Sequence, residues 1–141
     1  MTEISAEIEL KIPFYDVDAM EIVWHGNYIK YFEKARCQLL DKIDYNYQQM
    51  KKSGYAWPVI DVRVRYVKSA HFMQLILIKA TLVEFEYGMR VNFVITDKID
   101  GSKLSTGYTK QVAVNMQTKE MCLLSPKILH NKIKNYADQT L

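Results

Sequence analysis

Ile4, Ala6, Ile8, Leu10 and Ile12 alternate with Ser5, Glu7, Glu9 and Lys11 near the start of the chain. Successive side chains of a strand point to opposite faces, so this spacing predicts a strand with one buried face that stops at Pro13. Stretches rich in β-branched and aromatic residues predict four more strands, at about 59–68, 75–86, 89–96 and 104–116. The connections are short. Glu86-Tyr87-Gly88 and the 97–102 segment, which holds Asp100-Gly101, carry the residues that tight hairpin turns need. The last three strands are therefore expected to form an antiparallel meander.

Between the first strand and the rest, Tyr28, Phe32, Ala35, Leu39 and Ile43 recur every three or four residues. That period predicts a helix over 27–43 with one apolar face, and Lys30, Lys34, Gln38, Asp41 and Lys42 lie mostly on the other side. Tyr31 and Cys37 widen the apolar stripe, which makes Cys37 a buried, inert thiol. A second, shorter helix is expected after Ser125-Pro126, with Ser as N-cap and Pro at the first helical position. One long helix against a five-stranded antiparallel sheet is an α+β layer architecture. A lone sheet with an open edge and little cover predicts a homo-oligomer, a homodimer or a homotetramer.

The 141 residues suit one domain over 1–141. Hydrophobic residues make up 49% and charged residues 25%, with 5 Gly and 3 Pro, the balance of a packed protein and not of a disordered one. No apolar run approaches the roughly 18 residues that span a bilayer, which excludes a transmembrane role. Cys37 and Cys122 lie far apart, without a CxxC pair and without a basic-then-apolar leader, so reduced thiols and a cytoplasmic location are expected. Residues 1–24 carry six acids against Lys11, so within a net charge of +3 the remaining chain holds an excess of eight positive charges. Such an excess attracts phosphates, but Lys51-Lys52 is the only adjacent lysine pair, and a nucleic-acid groove is disfavoured. His71 and His130 lack spaced ligand partners, so neither a metal site nor a cofactor is expected.

Chemistry concentrates in residues 14–28, where Asp16, Asp18, Glu21 and His25 lie between the strand end and the helix start. Two readings stand for the acid pair. In one, Asp16 and Asp18 bond nearby backbone amides of a connecting loop. In the other, a carboxylate works beside His25-Gly26-Asn27, where the free N–H groups of a helix N-terminus form a site for an anion or a polarised carbonyl.

Asp16-Val17-Asp18-Ala19, then Val23-Trp24-His25-Gly26-Asn27-Tyr28 and Phe32-Glu33-Lys34-Ala35-Arg36, resemble the signature of hotdog-fold thioesterases of the 4-hydroxybenzoyl-CoA thioesterase family. Arg65-Tyr66 with Ser69-Ala70 resembles a further block of that family. The resemblance implies a sheet wrapped around the long helix and two protomers paired into one continuous sheet. It makes Asp18 the catalytic carboxylate and places the backbone N–H of His25 at the oxyanion, while the imidazole of His25 orients water, protonates the departing thiolate or simply caps the helix. Asp16 is then structural, bonding the loop backbone that aims Asp18. Asn27 is an N-cap or substrate contact, Tyr28 a core anchor whose polar tip can also meet substrate, and Arg65 a further substrate-binding residue. Glu33 and Arg36 form either a plain helix pair or a partly buried pair that fixes the loop or the dimer. Met20-Glu21 stands where many members carry a Gly pair, Ser69 replaces a common Pro, and Gln74 a frequent Asp.

The function implied is hydrolysis of an acyl thioester of coenzyme A or of an acyl carrier protein, with a desolvated Asp18 as nucleophile or general base. The nucleotide phosphates of coenzyme A fit contacts with Arg63, Arg65, Arg90 or Lys110, and an acidic carrier protein fits the same positive region. Ala19-Met20-Glu21-Ile22 and the 54–59 block are similar to thioesterases of aryl-polyene pathways, which implies a carrier-bound polyketide-like or fatty acyl chain. A non-catalytic acyl-thioester binding module on the same fold is the alternative, against which the presence of Asp18 and His25 argues. A hotdog dehydratase is disfavoured, because this acid-rich loop does not resemble its signature.

Overall fold

The computed structural model describes residues 3–140. Strand β1 (Ser5–Lys11) leads through a one-turn 3-10 helix (Phe14–Asp16) and a loop into α1 (Asn27–Lys42). After α1 come α2 (Tyr47–Lys52), β2 (Tyr55–Ala56), β3 (Val59–Tyr66), β4 (Leu75–Glu84), β5 (Met89–Asp97), β6 (Lys103–Gln111), β7 (Val114–Asn115) and α3 (Lys127–Gln139). The five long strands form an antiparallel sheet ordered β1-β4-β5-β6-β3, and β2 pairs with β7 in a separate two-stranded ribbon. The sheet curls about α1 in the hotdog arrangement, and β4, β5 and β6 are the expected meander.

Three elements depart from the sequence reading. The strand foreseen over 104–116 breaks after Gln111, because the backbone there turns to other partners: the Val112 amide donates to the Pro58 carbonyl and the Cys122 amide to the Ala113 carbonyl. The last helix starts one residue later than foreseen, with Pro126 as N-cap. Ser125 does not cap it; its hydroxyl instead accepts from the Gly88 amide at 3.0 Å and donates to the Gly88 carbonyl, which ties the β4–β5 turn to the base of α3. The short α2 and the β2–β7 ribbon had no periodic signal long enough to be seen; an Asn46–Gln49 capping box marks the start of α2.

The buried face of α1 is Tyr28, Tyr31, Phe32, Ala35, Arg36, Leu39 and Leu40, an i, i+3, i+4 series. Cys37 falls outside that series, on the side of Lys34 and Gln38, and is exposed, contrary to the expectation of a buried thiol. Arg36 falls inside it and is 1% exposed. Its guanidinium donates to Thr109 Oγ1 on β6 at 2.9 Å, to the Tyr47 hydroxyl at 2.9 and 3.1 Å, and to Glu33. The Glu33–Arg36 pair is thus half of a buried knot that ties α1 to β6 and α2, since a guanidinium this deep needs its donors satisfied.

The helix sits close to the sheet at one point. Phe32 stacks on Phe93 of β5 with ring centroids 4.5 Å apart and planes 6° off parallel. Beside Phe93 in the next strand is Gly107, where a Cβ would lie 2.6 Å from Phe32 Cε2 and 2.2 Å from the Arg63 carbonyl. Only glycine leaves that room. Along β3, the inward-facing Val62 and Tyr66 remain exposed, as do Val59 and Ile60, because α1 covers the β1–β4 side of the sheet. No described helix is long and apolar enough to cross a membrane. Gly107→Ala is expected to destabilise the fold by about 2 kcal/mol or more, because the added methyl displaces either Phe32 or the β3 backbone; urea unfolding monitored by circular dichroism measures it.

Candidate functional site

The loop that follows β1 is built around its first acid. Asp16 is buried, and its two carboxylate oxygens accept from Lys30 Nζ at 2.6 Å and the Tyr31 hydroxyl at 2.7 Å, both on the first turns of α1. Its carbonyl accepts from the Trp24 amide at 3.0 Å and from Asn27 Nδ2 at 2.8 Å. Asp16 is structural, as expected, but its side chain grips the helix and not the loop backbone. Burial, reinforced by the hydrogen bond and the charge of Asp16, drives the Tyr31 phenol well above its ordinary pKa, so it stays a donor to that carboxylate.

Within this frame the chain doubles back on itself. Val17 bridges Val23, the Asp18 amide donates to the Ile22 carbonyl, and the Glu21 amide donates to the Asp18 carbonyl. Glu21 closes the turn at φ 62°, a left-handed conformation that favours glycine. The Val23 amide donates to the Ala70 carbonyl, which fastens the turn to the segment between β3 and β4. Trp24 lies flat over Gly26, where a Cβ would come within 2.2 Å of its ring.

The turn presents Asp18 and His25 to one cavity of about 370 Å³, lined also by Val23, Tyr28, Tyr66 and Lys68. Asp18 Oδ1 accepts from the Met20 amide at 2.8 Å, which orients the carboxylate, while Oδ2 has no partner among the described residues. The His25 and Gly26 amides at the head of α1 likewise donate to no acceptor among the described residues. Asp18, with one carboxylate oxygen unpartnered among the described residues, and His25, whose amide is likewise unpartnered at the head of α1, therefore line the same cavity. Asp18 is exposed, so this chain alone does not desolvate it.

The remaining sequence-predicted residues separate. Tyr28 is buried, and its hydroxyl accepts from the Ala70 amide at 3.1 Å, forming the back wall of the cavity. Asn27 turns away to the Asp16 carbonyl. Arg65 lies on the opposite face of the sheet, where with Arg63 and Arg90 it lines a second cavity of about 350 Å³; Arg90 stacks over the Tyr108 ring at 4.0 Å. Tyr66 escaped the sequence reading as a site residue. Its hydroxyl donates to the His25 carbonyl at 2.7 Å and its ring meets Tyr28 edge-on at 5.0 Å, so it holds the peptide plane between His25 and Gly26. Although the ring is half exposed, partial desolvation, with Tyr28 beside it, raises its pKa and keeps that donor protonated. Its only sequence signal was its place in the Arg65-Tyr66 block.

Among curated proteins, the chain is 27% identical over 77 residues to "Putative acyl-CoA thioesterase YneP" of Bacillus subtilis (strain 168), a match covering 55% of this chain and 56% of that protein. The chain spans just over half the length of the curated relatives it matches. Among solved structures, DHNA-CoA thioesterase from Staphylococcus aureus superposes with a TM-score of 0.82 at 23% identity, covering 96% of this chain and 93% of that one. The protein SAV2348 from Staphylococcus aureus, solved in complex with CoA, superposes with a TM-score of 0.84 at 13% identity, over 96% of this chain and 85% of that one. These likenesses carry the fold. The family model of the thioesterase-like superfamily matches residues 12–131, a span that takes in the Asp16–His25 loop, α1 and strands β3 to β6, and the chain belongs to that superfamily.

Proposed function

We propose that this chain hydrolyses an acyl thioester to a free acid and a thiol, with Asp18 as the reacting carboxylate. The observation that carries the reading is the shared cavity, which both Asp18, with its unpartnered Oδ2, and His25 at the head of α1 line. In one form of the reaction Oδ2 attacks the thioester carbon, the C–S bond breaks, the thiolate takes up a proton and a mixed anhydride is left for water to cleave. In the other, Oδ2 takes a proton from water as its oxygen adds to the carbon, and the C–S bond breaks from the tetrahedral adduct. Both put negative charge on the carbonyl oxygen, where the His25 amide and the positive end of the α1 dipole stabilise it. The imidazole of His25, exposed at the cavity rim, protonates the leaving thiolate or orients the water.

Coenzyme A is the donor best supported, by the names of the superfamily relatives and by the arginine-lined cavity on the outer sheet face, which suits phosphates. A carrier protein bearing the same phosphopantetheine arm is the second donor class. A second copy of the chain supplies the missing cover. The β1 edge is studded with Glu7, Glu9 and Lys11, which discourage pairing, whereas β3 offers an edge with Val62 and Tyr66 uncovered. Antiparallel pairing of two β3 edges continues the sheet, covers those side chains and closes the cavity at Asp18 from the side left open to water.

Asp18→Asn is expected to lower kcat by roughly a thousandfold while substrate affinity and melting temperature stay near wild type, because it removes basicity and keeps shape. Asp16→Asn is expected to do the reverse: it weakens a buried carboxylate held by Lys30 and Tyr31, costs about 2 kcal/mol of stability, and lowers kcat less. Thiol release from a panel of acyl-CoA thioesters, with calorimetric melting of both variants, separates the two roles. Near-wild-type turnover in Asp18→Asn would sink the mechanism. For the dimer, sedimentation velocity at micromolar concentration should find wild type paired and Val62→Asp monomeric, since the new carboxylate lies on the open strand edge.

A further inference from the structure

We infer that Tyr66 is a positioning residue for the hydrolysis proposed above: its hydroxyl, bonded to the His25 carbonyl, holds His25 so that the His25 amide is fixed before the thioester oxygen gains charge. This rests on the hydrolase reading and adds a residue that acts through another. His25 lies between two fixed points. The Trp24 amide and Asn27 Nδ2 both donate to the Asp16 carbonyl, and the Asn27 amide donates to the Trp24 carbonyl. Within that arch His25 makes one hydrogen bond among the described residues, the 2.7 Å bond that its carbonyl accepts from Tyr66. Its amide has no acceptor there, and its ring lies 5.0 Å from the Trp24 ring at a tilt of 45°. A peptide unit is planar, so anchoring the carbonyl oxygen sets the rotation about the Cα–C bond of His25. With Trp24 held on the other side, the amide of His25 then has little freedom left.

The other end of the tether is rigid. Tyr66 closes β3 opposite Ser105 of β6. The Ser105 hydroxyl donates to the Arg65 carbonyl at 3.0 Å, and the Val67 and Lys68 amides both donate to the Leu104 carbonyl at 3.0 Å. The backbone is thus fastened on both sides of Tyr66. Its ring stands edge-on to that of Tyr28, which is buried and whose hydroxyl accepts from the Ala70 amide at 3.1 Å. Sheet and helix therefore hold Tyr66 by backbone and ring, and Tyr66 holds His25 by one bond across 41 positions of sequence. A donor stabilises developing charge most when it needs no reorganisation at the moment of reaction. The loop that carries His25 borrows that rigidity from β3.

Tyr66→Phe keeps the ring against Tyr28 and removes only the hydroxyl. Its kcat on decanoyl-CoA should fall roughly tenfold to a hundredfold, less than the loss of an oxyanion donor outright, with KM and melting temperature near wild type. An unchanged kcat overturns the inference. The thioester carbonyl itself separates positioning from a merely structural role. In Asp18→Asn, which holds substrate uncleaved, infrared difference spectra of decanoyl-CoA carrying ¹³C at the thioester carbon should show a carbonyl stretch lowered from its value in water. The double variant Asp18→Asn/Tyr66→Phe should lose most of that lowering; the same frequency in both overturns the inference, whatever the melting temperature. A third reading needs no substrate. From ¹⁵N relaxation of the free protein, the order parameter of the His25 amide should be about 0.85 in wild type and about 0.6 or lower in Tyr66→Phe. Equal values overturn the tether. If wild type releases no thiol from any acyl-CoA while that order parameter falls as expected, the hydrolase reading fails and the hold of Tyr66 on His25 stands.

Discussion

The Asp16 carboxylate is the contact on which the working end of this protein depends. It is a buried charge whose two oxygens are taken by Lys30 and Tyr31 and whose carbonyl gathers Trp24 and Asn27. A carboxylate removed from water is tolerated only when its acceptor capacity is filled, so the loop has one way to lie against α1. That constraint sets where the 18–23 turn emerges and which way the head of α1 points. Asp18 and His25 line one cavity because Asp16 holds both of their supports.

Further from the loop, a second buried charge does similar work. Arg36 sits in the apolar stripe of α1 and spends its donors on Thr109, Tyr47 and Glu33. The Phe32–Phe93 stack over Gly107 sets how close the helix comes, and the Arg36 knot sets its rotation and anchors α2 behind it. Since Tyr47 is both an acceptor for Arg36 and a wall of an apolar groove between α2 and the β2–β7 ribbon, the groove inherits its shape from the same knot. Core packing and the shape of the groove are in this way two sides of one set of contacts.

The two faces of the sheet divide the chemistry. The α1 side carries the carboxylate, the free amides and the apolar groove, while the outer side carries Arg63, Arg65 and Arg90 around a cavity that suits phosphate. Strand alternation does this with one stretch of chain: in β3 the odd positions Arg63 and Arg65 face out and the even positions Val62, Val64 and Tyr66 face in.

Most of the fold was legible along the chain because strand and helix periods are local properties. The alternation in β1, the meander of β4 to β6 and the stripe of α1 all follow from residues a few positions apart. The acid pair and His25 were legible as well, as a dense polar run at a helix start. Other features were decided by partners far away in sequence. Cys37 looked apolar and is exposed, and Arg36, which the sequence left as either a plain helix pair with Glu33 or a partly buried one, is buried, because the residues facing α1 lie on β6 and α2 and not in the helix. Ser125 looked like a cap and became an anchor for Gly88. The burial of Asp16 and exposure of Asp18, the hydrogen bond from Tyr66 to His25 and the placing of Arg65 on the outer face all turn on which way side chains point once the sheet closes on the helix. Periodicity determines the face a residue occupies; only the folded chain determines what that face meets.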